Sequence, residues 1–99
     1  MITKRLSPKG RSMRVTFELP GEAAAEQVAV VGDFNDWDHT RHTMKLDPKS
    51  GTWTAAISFK PGSVVQFRYL ADGHSWRNDE DADEQVRNEH GTENSLLRL

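Results

Sequence analysis

Met13-Arg14-Val15-Thr16-Phe17-Glu18-Leu19 alternates apolar and polar side chains with a period of two. That spacing buries one face of a β-strand and wets the other, and it cannot form the 3.6-residue apolar stripe of a helix. The run stops at Pro20-Gly21, because proline removes a ladder donor and glycine turns freely. The pattern returns twice. Trp53, Ala55, Ile57 and Phe59 share one face of the stretch from Thr52 to Lys60, with Thr52, Thr54, Ala56 and Ser58 on the other. After a Pro61-Gly62 turn, Val65, Phe67, Tyr69 and Ala71 point one way and Gln66, Arg68 and Leu70 the other. Trp53 is therefore expected in the core and Arg68 on the outward face.

Between these stretches, Glu22 to Gln27 reads as a loop or a single turn, Val28 to Gly32 as a strand, and Asp33 to His42 as polar turn. A short strand near Thr43 to Leu46 leads into Asp47-Pro48-Lys49-Ser50-Gly51, which suits a hairpin turn. A final strand, Ser95 to Leu99, follows a long acidic loop. About seven short strands and no long helix predict an all-β fold, an antiparallel β-sandwich. One domain is expected over residues 13–99. Residues 1–12 are expected to be a basic arm, loosely attached unless Ile2 to Leu6 pairs as an edge strand. A chain of 99 residues buries only about 60–65% of its unfolded surface, which favours an open site over an enclosed one.

Charge is divided along the chain. Lys4, Arg5, Lys9, Arg11 and Arg14 precede any acid, whereas Asp72, Asp79, Glu80, Asp81, Asp83, Glu84, Glu89 and Glu93 outnumber Arg77 and Arg87 between residues 72 and 93. The two blocks read as a solvated arm and a solvated face that attract one another. The absence of cysteine excludes disulfides, thiolate zinc sites and a cysteine nucleophile, and suits a reducing cytosol. No apolar run approaches the ~20 residues that span a bilayer, and residues 1–12 lack the apolar core of a signal peptide. A soluble, cytoplasmic protein with no membrane association is expected.

Chemistry that needs a cleft finds little support. The sequence has no Gly-x-Ser-x-Gly elbow, no phosphate-cradling glycine loop and no His-Glu-x-x-His, so an enzyme is not expected. His39 and His42 lack a third metal ligand nearby, and His74 and His90 stand alone. Asp79, Asp81 and Asp83 match the first, third and fifth positions of a calcium loop. Glu84 then replaces its glycine and His90 its closing glutamate, so neither metal nor other cofactor is expected. The basic arm carries no aromatic residue and the domain is acidic overall, which argues against nucleic acid.

Two tryptophans stand outside the alternating strands. Trp37 lies in Gly32-Asp33-Phe34-Asn35-Asp36-Trp37-Asp38, and Trp76 follows the Asp72-Gly73 turn. A flat indole covers the C–H face of a pyranose ring while Arg and Asn side chains bond its hydroxyls, so this pair beside Arg68 suits a sugar chain.

These motifs, with Gly51-Thr52-Trp53, Phe67-Arg68-Tyr69-Leu70-Ala71-Asp72-Gly73 and Gly91-Thr92-Glu93-Asn94-Ser95, resemble the family 48, glycogen-binding type of carbohydrate-binding module. This is the early-set, immunoglobulin-like domain of isoamylases, branching enzymes and the beta subunit of the AMP-activated kinase. The resemblance covers about residues 13–99 and extends to small free-standing bacterial members. It implies an immunoglobulin-like sandwich that binds α-1,4-glucans (glycogen, starch or maltooligosaccharides) without catalysis. It places Trp37 and Trp76 on glucose rings, Arg68 and Asn94 on hydroxyls with Thr92 nearby, and Asp79 in ordering the loop after Trp76. His90 occupies a position where kinase-type members insert an apolar residue into the glucan. Some members bind no sugar and only pack on a catalytic barrel. With no barrel in this chain, the alternative expectation is a structural domain that docks on a glycan-processing or signalling partner protein.

Overall fold

The computed structural model describes residues 1–99. Nine strands form, β1 (Ile2–Leu6), β2 (Met13–Pro20), β3 (Val28–Gly32), β4 (Lys45–Asp47), β5 (Thr52–Phe59), β6 (Val64–Ala71), β7 (Ser75–Arg77), β8 (Glu84–Arg87) and β9 (Glu93–Arg98). They make two antiparallel sheets in the orders β1-β2-β5-β4 and β3-β6-β9-β8, with β7 attached to β6. The architecture is an all-β, immunoglobulin-like sandwich.

The alternating runs become the facing layers. Val15, Phe17 and Leu19 pair in register with Ile57, Ala55 and Trp53, so one face of β2 and β5 is apolar. On the other sheet Val65, Phe67 and Tyr69 face inward with Val28, Val30 and Leu97. Three aromatic rings join the layers at their centre. Phe67 meets Phe17 edge-on at 5.1 Å and Tyr69 at 5.4 Å, the arrangement the aromatic quadrupole favours. Trp53 is buried and its indole N–H donates to the Gly21 carbonyl at 3.2 Å.

The acidic segment departs from expectation. It holds two strands instead of one long loop, and Trp76 itself sits on β7, opposite Leu70. Strand β8 has a single apolar residue, Val86; as a sheet edge it buries no full face, so alternation could not reveal it. The short strand expected near Thr43 to Leu46 forms at Lys45–Asp47 instead. Thr43 makes only an isolated bridge to Ala29, while the Met44 N–H donates to the Val28 carbonyl at 2.8 Å. This segment thus flanks β3 before reaching the other sheet. Ile2–Leu6 pairs with β2 as an edge strand. Lys4 of that strand contacts Asp83 at 2.6 Å, tying the basic arm to the acidic segment and, with Arg98, holding the Asp83 carboxyl below its usual range.

Asp79 anchors the segment after Trp76. It is buried, accepts the Tyr69 hydroxyl at 2.7 Å and the Asp81 N–H at 2.9 Å, and its own N–H donates to Ser95 at 3.0 Å. Burial, reinforced by this carboxylate, pushes Tyr69 ionisation far above the ordinary phenol range, so the hydroxyl remains a donor.

Candidate functional site

The turn that carries Trp37 is built by three residues of its motif. Gly32 is needed for closeness: a Cβ there would lie 2.5 Å from the Gln66 carbonyl oxygen and 2.5 Å from the Phe34 ring. Asn35 is fully buried; its Oδ1 accepts the Gly32 N–H at 3.0 Å, and its Nδ2 donates to the Val30 carbonyl at 3.0 Å. Asp36 and Trp37 then both adopt left-handed backbone, with φ of 57° and 58°. Such a conformation costs a tryptophan about 1–2 kcal/mol and persists here because the Trp37 N–H is held by the Gly32 carbonyl at 2.9 Å. Thr40 bonds the neighbouring Asp38 carboxylate and lowers its pKa. Gly32→Ala is expected to cost about 1–3 kcal/mol in a urea titration, because the obstructing oxygen belongs to a paired strand backbone that cannot step aside.

A hairpin presents the second indole. Asp72 bends the chain with φ 52° ahead of Gly73 at 76°. The Asp72 carboxylate accepts backbone N–H groups of Ala25, Glu26 and Gln27 at 2.7–3.0 Å, which lowers its pKa and fastens the turn to the chain entering β3. Trp76 is 48% exposed and Trp37 37% exposed. The Arg68 guanidinium lies over the Trp76 ring at 4.7 Å, a cation–π contact that orients both groups. The Arg68 Nε is buried without a hydrogen-bond partner.

The opposite wall is polar. Asn94 is buried, donates from Nδ2 to Gln66 Oε1 at 3.1 Å and accepts from Asn88 Nδ2 at 3.1 Å. Asn88 also donates to Thr92 Oγ1 at 2.7 Å and accepts the Thr92 and His90 N–H groups. The Gln66 N–H donates to Asp33 at 3.2 Å, so one chain of polar contacts runs from the Trp37 turn to the β8–β9 hairpin.

Trp37, Arg68, Trp76, Asn94 and His90 line one open groove of about 610 Å³ with Gln66, Arg87, Asn88 and Glu89. Thr92 lies outside it, on the adjoining surface with Gly91 and Glu93, and bears on the groove only through Asn88. Gln66 and Asn88 are the additions. Gln66 was legible as an outward residue beside Arg68, but its pairing with Asn94 depends on β6–β9 register. Beneath the platform, Ala29, Val31 and Leu70 form a second small apolar cluster, which is why Leu70 is buried although alternation turns it away from the main core. The carboxylates of the calcium-like spacing diverge, Asp79 onto Tyr69 and Asp83 onto Lys4.

A family model described as carbohydrate-binding module 48 (isoamylase N-terminal domain) matches residues 11–84. The chain belongs to this family. Trp37, Arg68 and Trp76 fall within the matched span of the module, while His90, Thr92 and Asn94 follow it. Relatives of the module include the 1,4-alpha-glucan branching enzyme GlgB of Bordetella pertussis, 47% identical over 53 residues, which is 52% of this chain and 7% of that enzyme. GlgB of Ralstonia nicotianae is 46% identical over 55 residues, 50% of this chain and 7% of that enzyme. GlgB 1 of Xanthomonas axonopodis pv. citri is 62% identical over 45 residues, 44% and 6% respectively. The module thus corresponds to a small fraction of each enzyme's length. No helix in it is long and apolar enough to cross a membrane.

Proposed function

We propose that the groove binds α-1,4-glucans such as glycogen, starch or maltooligosaccharides, and that this chain is a binding module without catalytic activity. The convergence of Trp37 and Trp76 on one groove with Arg68 supports this most directly. Both indoles offer flat apolar area to sugar C–H faces, while Arg68 and the Asn94 network offer donors and acceptors to hydroxyls. The relatives named as 1,4-alpha-glucan branching enzymes support the choice of glucan. Asn94 has both ends of its amide engaged, so it acts with Gln66 and Asn88 as a group. An open, solvated site of this kind binds with about −4 to −8 kcal/mol, in the millimolar to micromolar range.

Native electrophoresis tests the reading. The wild-type protein is expected to migrate more slowly in gels containing glycogen than in gels without polysaccharide, with no retardation by cellulose oligomers. Equal migration in glycogen and blank gels overturns it and favours a domain that docks on a partner protein without binding sugar.

A further inference from the structure

We propose that His42 is a positioning residue for the Trp37 platform, and that it must be unprotonated at Nδ1 for that platform to hold. The hydrogen bonds of Asn35 require it. The Gly32 N–H can be accepted only by the amide oxygen, which fixes Asn35 with its oxygen toward Gly32 and its NH₂ toward Val30 and His42. One Nδ2 hydrogen goes to the Val30 carbonyl at 3.0 Å; the other points at His42 Nδ1, 2.9 Å away. A donor faces that nitrogen, so it must accept, and the ring proton sits on Nε2. An imidazolium would place N–H against N–H.

His42 is also tied to the same strand through its backbone, since its carbonyl accepts the Val30 N–H at 2.8 Å. Protonation therefore strains a contact that cannot simply drift apart. No carboxylate lies within 4.0 Å of its ring nitrogens to favour the cation. Phe34 lies 5.6 Å away, centroid to centroid. Arg41 and Lys45 share its flank, and β5 presents Thr54, Ala55, Ala56 and Ile57 there. Asp36 and Asp38 are drawn to Arg41, at 4.0 and 3.6 Å, and His90 is the one histidine with a carboxylate within 4.0 Å. The consequence runs through Asn35, whose Oδ1 holds Gly32 and whose carbonyl accepts the Asp38 N–H at 3.1 Å, on either side of the left-handed Asp36-Trp37 pair. Loosening Asn35 weakens one of the restraints, beside the Gly32 carbonyl bond to the Trp37 N–H, that keep Trp37 in a disfavoured backbone conformation.

Protonation of Nδ1, or loss of the ring, should therefore loosen the Trp37 turn. Nitrogen-15 NMR of the free protein is expected to show His42 Nδ1 as the unprotonated nitrogen at neutral pH, and the Trp37 indole N–H resonance to move in step with His42 titration. His42→Asn supplies an amide oxygen near the Nδ1 position that accepts from Asn35 and cannot titrate; in this variant the Trp37 resonance should stay in place over the pH interval in which the NMR titration shows the wild-type ring gaining its proton. An Nδ1-protonated tautomer at neutral pH, a Trp37 signal indifferent to His42 titration, or a pH response retained in His42→Asn overturns the proposal. The first two readouts come from the wild type, so they stand even if the variant fails to fold. Resting on the glucan reading, maltooligosaccharide affinity is expected to fall about fivefold over the same interval in the wild type and to stay constant in His42→Asn. Absence of sugar binding at every pH would fail the glucan reading while leaving the NMR result to decide this one. His90 also lines the groove, which is why the variant at position 42 carries the discrimination.

Discussion

Trp37→Ala combined with Trp76→Ala is expected to abolish retardation in glycogen gels. Truncating a central aromatic anchor of a binding site costs about 2 kcal/mol or more, so two together predict a loss of roughly 10²–10⁴-fold. From a millimolar to micromolar starting point, that weakens Kd to about 0.1 mM at best and to beyond detection over most of the range. The single variants should each lose about 10- to 100-fold, with Trp76→Ala the more damaging because Arg68 is stacked on its ring at 4.7 Å and loses its orientation as well. Trp76→Phe, which keeps a flat face of smaller area, should recover part of the affinity. Titration calorimetry with a maltooligosaccharide measures these steps, and circular dichroism confirms the sandwich in each variant. Both indoles are well exposed, so the fold should survive. A folded double variant retarded as strongly as the wild type would exclude the two-tryptophan platform.

Phe67→Ala should act on the opposite face of the same strand with a different result. Phe67 is wholly buried and touches Phe17 and Tyr69 edge-on from within the layer where the sheets meet. Removing a buried phenylalanine side chain costs about 3–5 kcal/mol, the lost transfer energy plus the cavity left behind. Small domains hold only about 5–15 kcal/mol in total, so the midpoint in urea should fall steeply. Phe67→Leu, which refills most of the space, should cost less than about 1.5 kcal/mol. Glucan affinity measured on the folded fraction should change little, because the groove is formed by Gln66 and Arg68, whose side chains leave the strand on the other side. A loss below about 1 kcal/mol in Phe67→Ala would mean that the three-ring contact contributes little to the packing.

Alternation in Met13 to Leu19, Thr52 to Lys60 and Val65 to Ala71 was enough to place the facing layers, because each strand buries one face and exposes the other. Alternation says nothing where that condition lapses. Leu70 and Val31 occupy the outward face yet are buried in a second cluster, and β8 exposes nearly everything it has. Trp37 and Trp76 were legible as unusual because each indole stands in a polar context. The Trp37 turn was not, since its geometry depends on Gly32 meeting the backbone of β6 and on Asn35 reaching back to Val30. Gln66 and Asn88 entered the groove through side-chain bonds to Asn94, and such pairings follow from strand register. The role of Asp79 came from resemblance alone; the chemistry behind it, a buried carboxylate under the Tyr69 hydroxyl, required the fold.

The strand order β3-β6-β9-β8 also bears on how the protein comes into being. Strand β9 lies between β6 and β8, so neither can complete its pairing before β9 arrives. During synthesis the tryptophan turn and β6 emerge well ahead of β9, and until it docks β6 presents an open hydrogen-bonding edge next to the unfinished groove. Long-range antiparallel pairing of this kind closes on the millisecond-to-second scale. The groove is thus among the last parts to assemble, and a nascent chain halted before β9 would offer a sticky sheet edge to its neighbours in place of the finished groove.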